Sequence, residues 1–264
     1  MADPIASTQP VAHDTERETD GAGVFTIEPV PADTPVIITI DGPAGTGKST
    51  VSRMLAERLG LDFLDTGAMY RAAAAITIDH GLKGDLDKEQ YGRILEKVVD
   101  ADLHFDWQAD PPAILAWLEP LNDRIRQRDV TALVSRVAAI GTLRKHMVQK
   151  QRIIAHQHPR LVTEGRDQGS VAFPDAEVKF YLTAEPAIRA HRRALQLLES
   201  GVTIDEDRML EEILERDRID STRSDGPLVC PEDAIVIDTS EMTIGQVVED
   251  MARLTERVVG WAGP

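Results

Sequence analysis

The chain of 264 residues sets 29 Lys+Arg against 45 Asp+Glu, for a formal net charge of −16, with 42% hydrophobic and 28% charged residues. That balance is globular; it excludes collagen-like, wholly disordered and disulfide-stapled chains, and no apolar run approaches the roughly 18 residues of a membrane span. An acidic surface also lacks the positive field that general nucleic-acid binding needs, so any bound anion must be held by a local concentration of Arg and Lys.

Residues 1–35 hold five of the 15 prolines, seven acids and a single base, Arg17. Such a segment cannot bury enough surface to offset its ordering entropy, so a disordered acidic arm is expected, flexible to about Asp33. No basic stretch followed by an apolar one marks a secretory leader. Cys230, the single cysteine, can form neither an internal disulfide nor a structural zinc site. Both readings predict a cytoplasmic protein.

From Val36 onward strand and helix alternate. Val36-Ile37-Ile38-Thr39-Ile40 is a short β-branched run of the kind buried on both faces of a sheet. Lys48 to Leu59 reads as a helix with Val51, Leu55 and Leu59 on one face and Gly60 as its stop. Further strands are expected at Leu61–Leu64, Arg160–Thr163, Val178–Leu182 and Ala234–Ile237. The last precedes a helix with Ile244, Val247, Val248, Met251 and Leu254 on its apolar face. The alternation predicts an α/β fold: a five-stranded parallel sheet with helices on both faces. The charged, loop-rich stretch from about Tyr70 to Arg128 breaks the rhythm and reads as an inserted subdomain.

Between the first strand and its helix, Gly42-Pro43-Ala44-Gly45-Thr46-Gly47-Lys48-Ser49 satisfies G-x-x-x-x-G-K-[ST] at every fixed position. The glycines let backbone N–H groups turn inward around phosphates, and the helix dipole adds positive charge. Lys48 is placed to reach the β- and γ-phosphates and Ser49 to ligate a bridging Mg2+. This loop, with Thr50 after it, is the expected ATP site of a P-loop NTPase three-layer fold. An N-K-x-D motif, expected of a GTPase, is missing from the sequence.

Arginines then recur at the carboxyl edge of the expected sheet, where ligands bind in open α/β folds. Leu64-Asp65-Thr66-Gly67-Ala68-Met69-Tyr70-Arg71 follows the second strand, and Gly165-Arg166-Asp167-Gln168-Gly169-Ser170 follows the third. Glu215-Arg216-Asp217-Arg218-Ile219-Asp220-Ser221-Thr222-Arg223 is a polar, unpatterned stretch. Taken singly, each fits a solvent-facing arginine or a surface salt bridge equally well. Together, in an acidic protein, Arg71, Arg166, Arg216 and Arg223 at loop positions point to a second phosphate-bearing ligand, and the last stretch to a lid.

These motifs, with Ser135-Arg136-Val137-Ala138-Ala139, Phe173-Pro174-Asp175-Ala176 and Ala190-His191-Arg192-Arg193, resemble the bacterial cytidylate kinases, a branch of the nucleoside-monophosphate kinases. The resemblance covers about Val36 to the C-terminus. It implies a kinase domain over 36–264, with a core of about 36–70, 134–213 and 227–264. A monophosphate-binding insert at about 71–133 and a lid at about 214–226 complete it. It implies transfer of the γ-phosphate of ATP to CMP or dCMP with Mg2+. By motif position, Asp65, Arg71, Ser135, Arg144, Arg166, Asp167, Arg216 and Asp220 would contact the monophosphate nucleotide. Lys48, Arg216 and Arg223 would serve the transferring phosphates. Two departures stand out: Ala44 where Ser is frequent, which removes one side-chain hydrogen bond, and Thr66 where Ser is common, which keeps the hydroxyl.

The acceptor is itself an anionic phosphate, so no general base is required, and catalysis reduces to positioning and charge stabilisation. Cytosine presents an N4 amino donor where uracil presents an O4 acceptor. A carboxylate at Asp167 would accept from the one and repel the other, with Ser135 and Arg144 serving N3 and O2. Asp41 is expected to support the metal or Lys48 without ligating directly. His104, His146 and His191 fall on no metal-ligand spacing. A monomer is expected. Another small-molecule kinase, or a non-catalytic ATP-sensing module, would share the phosphate loop.

Overall fold

The computed structural model describes residues 34–260 apart from 83, 85, 200 and 203, so the expected acidic arm, Thr34 and Pro35 excepted, lies outside the described residues. The central strand β1 (Val36–Asp41) leads through the glycine loop into α1 (Lys48–Leu59), β2 (Asp62–Asp65) and α2 (Thr66–Asp79). Next come α3 (Lys88–Asp100), the short strands β3 (His104–Asp106), β4 (Ala113–Ala116) and β5 (Glu119–Pro120), then α4 (Arg128–Ala138) and α5 (Gly141–Gln157). The chain returns through β6 (Arg160–Glu164), β7 (Val178–Thr183), α6 (Pro186–Glu199), α7 (Glu206–Thr222), β8 (Ile235–Asp238) and α8 (Ile244–Val259).

The five-stranded sheet has the order β2-β6-β1-β7-β8, and every pairing is parallel. Alternation along β1 assigns its two faces. Ile38 and Ile40 join Val51, Leu55 and Leu59 of α1 and Val247, Val248 and Met251 of α8 in one core. Ile37 packs on the opposite cluster, built from α2, α4, α5 and Leu161. A strand buried on both faces must be apolar at nearly every position, which is why β1 reads as an unbroken run. A third, small cluster of Ala190, Met209 and Ile213 joins α6 to α7.

Three readings need correction. The stretch from Tyr70 to Arg128 is not loop-rich: α3 buries Ile94 and Val98, and β3-β4-β5 form an antiparallel sheet in the same core as α2 and α4. Residues 215–223 are not irregular, since α7 continues to Thr222. Its buried positions are Met209, Ile213 and Asp220, so the helical seam ends on a carboxylate that an apolar pattern cannot register. On α8 the expected apolar face holds at Val247, Val248 and Met251, whereas Ile244 is 47% exposed at the first turn, where Thr243 and Gln246 form a capping box.

Gly42 closes β1 against its neighbour. Its φ is +145°, and a Cβ there would lie 2.1 Å from the carbonyl oxygen of Leu182 at the end of β7. Gly42→Ala is therefore expected to destabilise the fold by more than about 1 kcal/mol. Thermal melting checks this; an unchanged Tm would mean that the loop and β7 separate without cost.

Candidate active site

The loop that follows β1 gathers donors at the N-terminus of α1. Gly47, at φ 88°, precedes the helix without a side-chain cap, leaving the first-turn N–H groups open to an anion. Lys48 is buried, and its Nζ donates to the Pro43 carbonyl at 2.6 Å and to Thr46 Oγ1 at 3.3 Å. Burial first, then the nearby Arg166 and Arg216, hold this amine well below the ordinary lysine pKa. Ser49 Oγ donates to Glu164 Oε1 at 2.6 Å, and Thr50 is exposed on α1.

Next to the loop, on the far side of Glu164, lies an arginine-lined cavity. Among the expected contact residues, Arg71, Ser135, Arg144, Arg166, Asp167, Arg216, Asp220 and Arg223 all line it. Asp65 does not; its carboxylate accepts from the Ala68 N–H and caps α2 just behind the wall. The arginines are not all on loops: Arg71 projects from α2 and Arg216 from α7, with Arg223 capping the end of α7.

Carboxylates hold these cations in place. Arg166 Nε donates to Asp220 Oδ2 at 2.9 Å, and Arg223 Nη1 lies 3.6 Å from Asp220 Oδ1. Burial opposes ionisation of Asp220, but Arg166, then Arg216 and Arg223, keep its carboxyl below the ordinary value. Arg144 pairs with Asp167, donates to the Ala138 carbonyl at 3.0 Å, and stacks over the Tyr70 ring at 5.0 Å. Arg71 reaches Thr131 Oγ1 at 3.1 Å. Arg216 is pushed down to about 10, by burial and then by Arg166. Among the described residues, Arg216 Nε and Arg223 Nη2 are buried with no hydrogen-bond partner, although Arg223 Nη2 lies 4.0 Å from Asp167 Oδ1. A cavity lined by convergent arginines is complementary to an anion.

Sequence reasoning missed several residues here. Glu164, at the carboxyl end of β6, accepts from Ser49 and from nothing its sequence neighbours signal. Thr66 and Tyr70 line the cavity within a stretch already singled out. Arg189, described below, adjoins a quoted motif, and its partner Asp217 lies within one without having been given a role. Asp41 lies within electrostatic reach of Lys48, and its carboxylate also accepts from the backbone N–H groups of Gln168 and Gly169 at 2.9 and 2.7 Å, bracing the turn after Asp167. Burial foremost raises its pKa to about 6. His104 bonds the Asp102 carbonyl, His191 pairs with Glu206, and His146 is partly buried away from the cavity.

The family described as Cytidylate kinase matches this chain over residues 38–257. The cytidylate kinase of Pseudomonas aeruginosa strain UCBPP-PA14 is 42% identical over 225 residues, 85% of this chain and 96% of that protein. The cytidylate kinase of Mycobacterium leprae strain Br4923 is 40% identical over 227 residues, 86% of this chain and 98% of that protein. Among solved structures, a gluconokinase from Sinorhizobium meliloti aligns with a TM-score of 0.40 at 15% identity, covering 87% of this chain and 98% of that one.

Burial, then the adjacent Glu164 carboxylate, pushes Asp65 up to about 7. The folded state thus holds a proton that the unfolded chain releases near the ordinary value of 3.8, so stability falls as pH rises through that window. Asp65→Asn keeps the capping oxygen and removes the titration. Between about pH 4 and pH 8 the wild-type Tm is expected to fall relative to this variant by several degrees, at about 2–4 °C per kcal/mol for a domain of this size. Parallel Tm–pH curves would show that Asp65 titrates as an ordinary carboxylate.

Proposed function

The chain belongs to the cytidylate kinase family, and from that premise we propose that it transfers the γ-phosphate of ATP to CMP or dCMP, giving ADP and the nucleoside diphosphate. The observation that carries the reading is the cavity beside the phosphate loop, lined by Arg71, Arg144, Arg166, Arg216 and Arg223. Both substrate sites come from one chain, which supports a monomer. The lone Cys230 supports a reducing, cytoplasmic setting.

In this reading the loop from Gly42 to Thr50 cradles the triphosphate, and Lys48 neutralises its β- and γ-oxygens. Mg2+ suits the oxygen donors at hand, the Ser49 hydroxyl and the Glu164 carboxylate. No group of three or more His, Cys, Asp or Glu is gathered as a metal cage among the described residues, so the ion would be held largely through the nucleotide's own phosphates. The metal supplies charge neutralisation. The chain's part is to aim the acceptor phosphate, through Arg71 and Arg166, at the donor, while Arg216 and Arg223 spread the charge of a loose transition state. Asp220, held by Arg166, faces the same space and is assigned to the nucleotide's sugar or phosphate side. The segment 71–133 would bear on the monophosphate, and residues 214–226 would close as a lid.

The base would be read by Asp167. One of its oxygens is taken by Arg144, and the other lies 4.0 Å from Arg223 Nη2, beyond hydrogen-bond distance, which leaves an acceptor for an exocyclic amine. Ser135 and Arg144 flank it and would serve the rest of the pyrimidine edge.

Coupled ADP release with CMP, dCMP, UMP and AMP tests the assignment. CMP and dCMP are expected to turn over well and AMP poorly; a preference for AMP, or silence with all four, overturns it. In Asp167→Asn the amide can turn its N–H toward uracil O4. The CMP/UMP ratio of kcat/KM is then expected to shrink roughly ten- to hundredfold, since one base-reading polar group is worth about 1–3 kcal/mol. Equal losses for both substrates would reduce Asp167 to a support for Arg144.

A further inference from the structure

Arg189, in the first turns of α6, has none of the roles assigned above. The residue is 3% exposed. Its Nε donates to the Ala184 carbonyl at 3.0 Å, and its Nη1 donates to the Ala44 carbonyl, inside the phosphate loop, at 2.9 Å. The same Nη1 lies 2.7 Å from Asp217 Oδ2 on α7, and Asp217 Oδ1 accepts from the Ala44 N–H at 3.4 Å. One ion pair therefore brackets a single loop residue through both its N–H and its C=O. The loop also packs directly on α6, because a Cβ on Gly45 would stand 3.0 Å from Arg189 Cβ.

Asp217 directly follows Arg216. Successive helical residues point about 100° apart, so α7 presents Arg216 to the acceptor cavity and Asp217 to the donor loop. Arg216 faces like charges in Arg166 and Arg71, a repulsive force that acts against the seating of α7. Two carboxylates of α7 oppose that force. Asp220 grips Arg166 on the acceptor side, and Asp217 grips Arg189 on the donor side.

We propose that Asp217, acting through Arg189, is a positioning residue for phosphoryl transfer: it fixes α7 to the phosphate loop and so sets where Arg216 meets the transferring phosphate. It touches no reacting atom. The proposal rests on the kinase reading above and adds to it a pair that ties the geometry of the donor site to that of the catalytic arginine. A misplacement of about 1 Å at such an arginine costs on the order of a hundredfold in rate.

The test is steady-state kinetics on the full chain for wild type, Asp217→Asn, Asp217→Glu, Arg216→Ala and the Asp217→Asn/Arg216→Ala double variant, with amide exchange across α7. Asp217→Asn is expected to lower kcat about ten- to hundredfold with little change in KM for ATP, and to speed exchange in α7. Asp217→Glu is expected to recover most of the rate. In the Arg216→Ala background the same substitution is expected to cost less than about twofold, because there is no arginine left to position. Additive losses in the double variant, or wild-type kcat in Asp217→Asn, overturn the positioning role. So does a gain in rate or a lower KM for ATP, which would mark the pair as a latch that ATP must break. Absence of turnover in the wild type overturns the kinase reading itself, whereas additive losses alongside normal wild-type turnover overturn only the role of Asp217.

Discussion

Mutual repulsion among buried cations is the constraint around which this molecule is arranged. Lys48, Arg71, Arg166 and Arg216 perturb one another's ionisation, which places them within electrostatic reach in a protein whose formal net charge is −16. Assembling such a group without its ligand is unfavourable, and each member needs a carboxylate or carbonyl to hold it. Asp220 holds Arg166 and the Pro43 carbonyl takes the lysine, while Asp167 and Asp217 hold the flanking Arg144 and Arg189. The acids are as much a part of the site as the bases.

The parallel sheet makes this gathering possible. With every strand running the same way, the carboxyl ends of β1, β2 and β6 open at one edge. Residues far apart in the chain, such as Ser49 and Glu164 at a separation of 115, arrive side by side there. Helices then bring in what the strands do not: Arg71 on α2, Ser135 on α4, Arg144 on α5, and Arg216 on α7. The packing of α2, α4 and α5 in one continuous core with Leu64 and Leu161 keeps their cavity walls in register with the sheet, and α7 joins through its small cluster with α6.

What could be read from the sequence follows from how locally each feature is encoded. The phosphate loop is contiguous, and its glycines, lysine and serine announce their geometry. The central strand was legible because burial on both faces makes it nearly all apolar; the edge strands β2 and β8, half exposed and carrying Asp62, Asp65 and Asp238, each sit one residue later than expected. The small sheet was not legible: its strands span two to four residues, and the β4–β5 turn runs through Trp117 and Leu118 at φ 50° and 67° with no glycine or asparagine to signal it. Arginine positions were legible, and their partners were not. Nothing in the neighbourhood of Arg189 foretells Asp217, and nothing near Ser49 foretells Glu164, because those pairings exist only after the sheet has formed.

The arginine-lined cavity also bears on stability. Its residues come together only in the fold, so an anion held by them binds the folded chain and not the unfolded one. By mass action, the balance between native and denatured chain then follows the concentration of nucleotide around it, growing with the logarithm of that concentration above the dissociation constant. Resistance to heat and proteolysis is, for such an architecture, a property shared between the polypeptide and the metabolite pool in which it is immersed.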